Sequence, residues 1–165
     1  MKEWIIYKTM SKELIVKEET SLILEGDPEQ QLEYAKKASR ALLKVIQSKK
    51  DKVIIQGKQY LTFEDWQTVA RFYGVSVGVE WTKPVLENGF ITGYEARATA
   101  TRKGEQVSAA EAMCMKNERN WVGKPEFMVR SMAQTRASAK ALRNLLAWVV
   151  VMAGLPATPG LQGEG

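Results

Sequence analysis

A long amphipathic helix is the feature that most restricts the fold of this sequence. Between Phe127 and Gly154, apolar and small residues recur at alternating steps of four and three, which at helical pitch stacks them into one stripe. A stripe of this length has to be buried against another layer, so the rest of the chain must supply that layer. The stripe comprises Met128, Met132, Thr135, Ala139, Leu142, Leu146 and Val149.

Basic residues follow one flank of this helix. No Asp or Glu occurs between Glu126 and Glu164, so no acid on the helix neutralises them. A solvated helix normally mixes both signs of charge, and an unbalanced line favours a surface that binds phosphates. The alternative is that these side chains only solubilise the border of the buried face. The basic flank consists of Arg130, Arg136, Lys140 and Arg143.

The residues after Gly74 predict a three-stranded antiparallel meander. The first strand is indicated by the alternation of apolar and other residues from Val75 to Trp81. A return strand covers Phe90 to Arg102, and a third strand covers Gln106 to Ala110. Lys103 and Gly104 form the turn between the last two strands. One face of the sheet is lined by small residues and leaves room for the helix after Pro125. That face carries Tyr94, Ala96, Ala98 and Ala100.

Capping signals define two earlier helices. Asp27, Pro28 and Glu29 begin a helix that places Leu32, Ala35, Ser39, Leu42 and Ile46 on one face. A hairpin is predicted from Val53 to Leu61, and Thr62 with Asp65 forms a capping box for the helix Phe63 to Tyr73, which stops at Gly74. Short strands are predicted at Trp4 to Lys8 and Ser21 to Leu24.

We therefore predict an α+β fold, with an antiparallel meander sheet crossed by a long C-terminal helix and an additional N-terminal helix. A single domain is expected over residues 1–154, and residues 155–165 are expected to be a flexible tail because they are rich in Pro and Gly.

Composition excludes several chemistries. The chain has one cysteine, Cys114, which excludes an internal disulfide, and no histidine, which argues against most zinc sites and hydrolase mechanisms. Glycine-rich phosphate loops are absent too. Cys114 is expected to be a buried apolar residue. We predict no enzymatic activity, cofactor or metal. No apolar run is long enough to span a bilayer and no signal peptide is apparent, so a cytoplasmic protein without membrane contact is expected.

One enzymatic alternative stays open. A metal-dependent nuclease could use Glu95, Glu80 or Glu111 with a divalent metal, since Glu95-Ala96-Arg97 approaches the Glu-x-Lys pattern of restriction-type nucleases. Arg stands there in place of the Lys that should activate water. A cross-strand ion pair explains the same residues.

The charge balance favours nucleic acid as the partner. The formal net charge is +5 and the isoelectric point is about 9.3. Sequence-tolerant binding requires a cationic groove and flat side chains. An ordinary solvated loop remains the alternative for the lysines after the first helix, and an anchoring role remains the alternative for Trp121. Besides the basic flank, the candidates are Arg97, Arg102, Lys103, Lys49, Lys50, Lys52, Lys58 and Trp121.

The order of elements resembles a known family. The segment from Tyr60 to Gly74, the meander, and Lys140-Ala141-Leu142-Arg143 in a long helix are together similar to the single-strand annealing proteins. This superfamily includes the eukaryotic recombination mediator Rad fifty-two and the phage ERF, Sak and RecT groups. The likeness covers residues 53–154, and Met1 to Lys52 have no counterpart.

The resemblance implies an annealing protein that assembles as a homo-oligomer, in rings or filaments, and holds single-stranded DNA with its bases exposed. Lys140 and Arg143 match basic backbone-contacting positions of the family. The expected activity is annealing of complementary strands without sequence preference in phage-type recombination or replication, with a DNA-coating protein as the alternative. The sugar-phosphate chain is expected to lie over the sheet beside the last helix.

Overall fold

The computed structural model describes residues 26–55 and 57–157. Within these residues the chain is α+β, as predicted, while the strands expected at Trp4 to Lys8 and Ser21 to Leu24 lie outside them. In chain order the elements are α1 (Pro28–Ser48), β1 (Val53–Ile55), β2 (Lys58–Tyr60), α2 (Phe63–Phe72), β3 (Ser76–Glu87), β4 (Phe90–Arg102), β5 (Glu105–Met115) and α3 (Glu126–Met152).

Local signals set most helix ends. The capping box of α2 is present, because the Asp65 amide donates to Thr62 Oγ1 and the Thr62 amide donates to Asp65 Oδ2. Gly74 ends this helix with a φ of +64°, a conformation that glycine adopts without strain. At α1, Pro28 occupies the first turn as expected, but the Asp27 side chain makes no capping hydrogen bond.

The three long strands form an antiparallel sheet in the order β3, β4, β5. Ala98 pairs with Val79 on one side and with Ala110 on the other. Strand β5 continues to Met115, beyond the predicted end at Ala110, and residues 116–125 form the connector between the sheet and α3. The outer edges of the sheet are therefore β3 and β5.

Helix α3 crosses one face of this sheet and joins two parts of the core. Its N-terminal half packs small residues, including Ala133 and Ala137, against Ala96, Ala98 and the buried Cys114. These small side chains let the helix approach the strands closely. Its C-terminal half packs against helices α1 and α2 through larger residues. Those residues are Leu142, Leu146, Val149 and Val150, which meet Leu42, Ile46, Trp66 and Val69.

The predicted stripe on α3 is correct in its C-terminal half and wrong in its N-terminal half. Met128 is exposed and Met132 is only half-buried, whereas Val129 and Ala133, one residue further on, are fully buried. A shift of one residue rotates the buried face by about 100°. The face changes direction because the first half of α3 meets a sheet and the second half meets two helices.

The first helix and the C-terminal residues also depart from expectation. Leu32 is exposed, while Ala38 takes the buried position on α1. Leu155 and Ala157 pack against the core, so the folded region extends past the predicted start of the tail. Residues 158–165 lie outside the described part of the chain.

Candidate nucleic-acid interface

Arg136, at the centre of the basic flank, is neutralised by the fold. Its Nη1 and Nη2 atoms donate to the two carboxylate oxygens of Glu118 at 2.8 and 2.6 Å. Nη1 also donates to the carbonyl oxygen of Met113 at 2.8 Å. The hydrogen bonds from Arg136 lower the pKa of Glu118. The expectation of an uncompensated line of charge is therefore wrong at Arg136, since its acid comes from the connector before α3.

Lys140, one turn further along α3, reaches the edge strand β5, as Arg136 does. Its Nζ atom donates to the backbone carbonyl oxygen of Glu111 at 3.1 Å. Glu111 and Met113 both lie on the edge strand β5, so two cations of α3 cap carbonyl groups that no further strand pairs. Lys140 remains exposed and has no ion pair within residues 26–55 and 57–157.

Arg143 continues the line with a different environment. Its side chain is half-buried, and this burial lowers the pKa of the guanidinium group. In the described part of the chain it has neither a hydrogen bond nor an ion pair. A desolvated cation without an anion is unfavourable, so an incoming anion would be stabilised here. Arg130, nearer the start of α3, is exposed and also lacks an ion pair among the described residues.

The two sheet arginines are held by protein acceptors. Arg97 Nε donates to Glu80 Oε2 at 2.8 Å, and Arg97 Nη1 donates to Glu111 Oε1 at 2.9 Å. Arg102 is buried and donates to the carbonyl oxygen of Tyr73 at 3.1 Å. Both guanidinium groups therefore already donate hydrogen bonds to acceptors within the protein. Lys103, in the turn after β4, is exposed.

Of the candidate lysines after α1, one forms an ion pair within the fold and three are exposed to solvent. Lys49 pairs with the buried carboxylate of Asp65 at the start of α2, so it fastens the end of α1 to the core. Lys50, Lys52 and Lys58 are exposed. The backbone of the β1–β2 hairpin, which carries Lys58, does not lie close to the backbone of any other helix or strand within the described residues. These three lysines therefore lie on a projecting segment, and no described contact joins them to the basic flank.

Trp121 and its neighbours tie the connector to the body of the protein. Trp121 is half-buried and packs against the core between sheet and α3. Lys116 forms an ion pair with Glu126 at 3.5 Å, and the Tyr94 hydroxyl donates to the same carboxylate. The anchoring alternative for Trp121 is the one that this packing favours. A base-stacking ring would need a free face.

A basic ridge on α1 was not among the candidates. Lys37, Arg40 and Lys44, which define this ridge, are exposed on the side of the helix opposite its buried residues. No acid lies between Glu33 and Asp51, and this run could have identified the ridge from the sequence. The ridge residues form no ion pair within residues 26–55 and 57–157.

The face of the sheet that α3 leaves uncovered, termed the open face, is not basic. By strand alternation it carries Glu95 and Arg97 of β4, Glu111 and Met113 of β5, and Trp81 and Lys83 of β3, with Glu80 at a bulge. Arg97 and Lys83 face three carboxylates there. Helix α3 covers one face of the sheet and acids border the other, so the open face offers no continuous basic path for a sugar-phosphate chain.

These contacts also bear on the nuclease alternative. Glu80 and Glu111 both bind the guanidinium group of Arg97, which occupies the position between them. No group of three or more His, Cys, Asp or Glu residues in 26–55 and 57–157 is arranged to hold a metal ion. A metal ion that used Glu80 or Glu111 would have to displace Arg97 from that carboxylate.

No helix in the described ranges combines the length and the apolar composition that crossing a bilayer requires. Comparisons of the chain with protein-family models, with curated proteins and with solved structures found no match.

Proposed function

We propose that this protein binds single-stranded DNA without sequence preference and anneals complementary strands. The observation that carries the proposal is the pair Lys140 and Arg143 on α3. Both cations lie on one flank of the helix, and neither forms an ion pair among the described residues. Arg143 is also partly desolvated. Such a pair favours a phosphate more than an ordinary solvated surface does.

The other exposed cations among the predicted candidates would extend the contact. Arg130 lies near the start of the same helix, and Lys103 lies in the turn before β5. Lys50, Lys52 and Lys58 form a second group on the projecting hairpin and the loop before it. Contacts to phosphates alone carry no sequence information, so the bases would remain available for pairing. Binding would proceed by release of counterions and would need neither ATP nor a metal.

The architecture supports the annealing interpretation through the resemblance. An antiparallel sheet crossed by a long helix is the arrangement that the resemblance implies for the annealing superfamily, and this chain has that arrangement. The implied homo-oligomer, a ring or a filament, belongs to the same proposal, as does a role in phage-type recombination or replication. Arg136, Arg97, Arg102 and Lys49 are not part of the proposed contact, because protein acceptors engage them.

The test is the salt dependence of binding to a labelled single-stranded oligonucleotide. Lys140→Ala with Arg143→Ala removes two phosphate contacts, so the affinity should fall and the slope of log K against log salt should flatten by about 1.4 for a single strand. The matched control is Arg71→Ala with Lys124→Ala, which removes the same charges from exposed positions. An affinity and a slope equal to those of the control would contradict the proposal.

A second measurement separates annealing from coating. The protein should accelerate renaturation of two complementary oligonucleotides, followed by fluorescence energy transfer between labels on the two strands. Binding without acceleration would identify the coating function. Cleavage of the strands in magnesium or manganese, lost on Glu95→Gln, would establish the nuclease alternative instead.

A further inference from the structure

The open face of the sheet has dimensions that suit one helix. Three strands at a spacing of about 4.8 Å are about 10 Å wide, close to the diameter of a helix with its side chains. Helix α3 occupies the opposite face of the sheet in this way. In the described part of the chain no element covers the open face. A second helix would complete a layer on that side.

The negative charges on the open face favour a basic partner. Glu80 and Glu111 share one guanidinium group, that of Arg97, which leaves one negative charge in excess. Lys83 Nζ lies 4.3 Å from the centre of the Trp81 ring, and Glu95, its register partner, has no ion pair among the described residues. Met113 adds an apolar contact, with half of its surface exposed. A nucleic acid would be repelled by this excess of carboxylates.

The α1 ridge has the complementary charge. Lys37, Arg40 and Lys44 span about 10 Å along the helix, at a rise of about 1.5 Å per residue. Glu95 and Glu111 are two residues apart in register, so the acids of the open face span about 7 Å along the strands, somewhat less than the ridge. The whole of α1, with 21 residues, is about 32 Å long, and β5, with 11 residues, is about 37 Å long, so the helix can lie along most of the sheet.

We propose that the open face binds helix α1 of a second copy of this chain. The open face of one copy meets the ridge of the next, so the contact is head to tail and the pair retains one free surface of each kind. Repetition of this contact gives a closed ring or an open filament. The inference deepens the assembly included in the proposed function and assigns its two surfaces, but it does not depend on DNA binding.

The experiment uses two complementary charge reversals and measures mass by light scattering after size exclusion. Arg40→Glu with Lys44→Glu destroys the ridge, and Glu80→Lys with Glu95→Lys destroys the open face while Glu111 still holds Arg97. The wild-type chain should assemble at low salt, and each variant alone should be monomeric, with association weakened by about tenfold or more. Circular dichroism establishes that each variant is folded, and Glu95→Lys alone provides a milder change.

Mixing the two variants gives the sharpest outcome. Each retains the surface that the other lacks, so an equimolar mixture should form a dimer that cannot grow. A mixture that remains monomeric, or wild-type protein that is itself monomeric, would overturn the proposal. So would reduced oligonucleotide binding by the ridge variant with no change in mass, which would identify the ridge as a nucleic-acid surface.

Two controls keep this test independent of the proposed function. Arg119→Glu with Lys124→Glu reverses exposed charges in the connector and should leave the mass unchanged. Lys140→Ala with Arg143→Ala should still assemble, because neither residue belongs to the ridge or to the open face. Loss of DNA binding with assembly intact would therefore be distinguishable from loss of assembly with DNA binding intact.

Discussion

The guanidinium group of Arg136 forms a two-pronged ion pair with the carboxylate of Glu118, with N–O distances of 2.8 and 2.6 Å. The pair connects helix α3 to the segment that follows β5. The Glu118 carboxylate also accepts a hydrogen bond from the Met115 amide at 2.7 Å. Arg136 and Glu118 thereby fix the connector against the helix, and the basic flank is interrupted at its centre.

Replacing Arg136 by Ala should lower the free energy of unfolding by about 1–3 kcal/mol, because a half-buried carboxylate would lose its partner. Urea denaturation measures the change. Glu118→Ala should show a similar loss, and the double variant should lose less than the sum of the two. Arg130→Ala, at an exposed position on the same helix, should change stability by less than about 0.5 kcal/mol. Additive effects would show that the pair contributes no coupling.

Acid should weaken this ion pair. The folded protein has a lower Glu118 pKa than the unfolded chain, so the pair contributes stability at neutral pH and loses it as the pH falls through the folded value. Between about pH 5 and pH 3, unfolding free energy should therefore fall more steeply in the wild type than in Glu118→Gln. Chemical denaturation at several pH values provides both curves. Parallel curves would show that Glu118 does not couple folding to protons.

The small residues between α3 and the sheet should not tolerate larger ones. Ala137 is fully buried and packs with Ala96 and Ala98, so Ala137→Leu should lower the free energy of unfolding by about 1–3 kcal/mol or prevent folding. Asn144→Leu places the same side chain on an exposed position of α3 and serves as the control. Equal stability of the two variants would contradict close packing at Ala137.

Cys114 should report opening of the same interface. Its thiol is fully buried, and burial raises its pKa, so both access and thiolate formation are reduced. In native protein at pH 8, reaction with a thiol reagent should be slower than in unfolded protein by on the order of a hundredfold or more. A native rate close to the unfolded rate would indicate that α3 and the sheet separate freely.

Much of the architecture could be predicted because it depends on local patterns. The capping box at Thr62 and Asp65, the left-handed Gly74 and the alternation around Ala96 and Ala98 each act within a few residues. The position of the buried face on α3 could not be predicted in its first half. Periodicity identifies a face, but the element packed against the helix decides which of two adjacent rows of residues is buried.

The candidate site also combines features set by local pattern with features set by tertiary contacts. The sequence alone determined that α3 carries four basic residues and no acid after Glu126, since that follows from composition and helical spacing. Only the tertiary structure decided which of these charges are neutralised. Arg136 meets an acid 18 residues away, Lys140 meets a carbonyl group 29 residues away, and Arg143 meets no anion among the described residues. Electrostatic pairing acts through space, and the fold sets those distances.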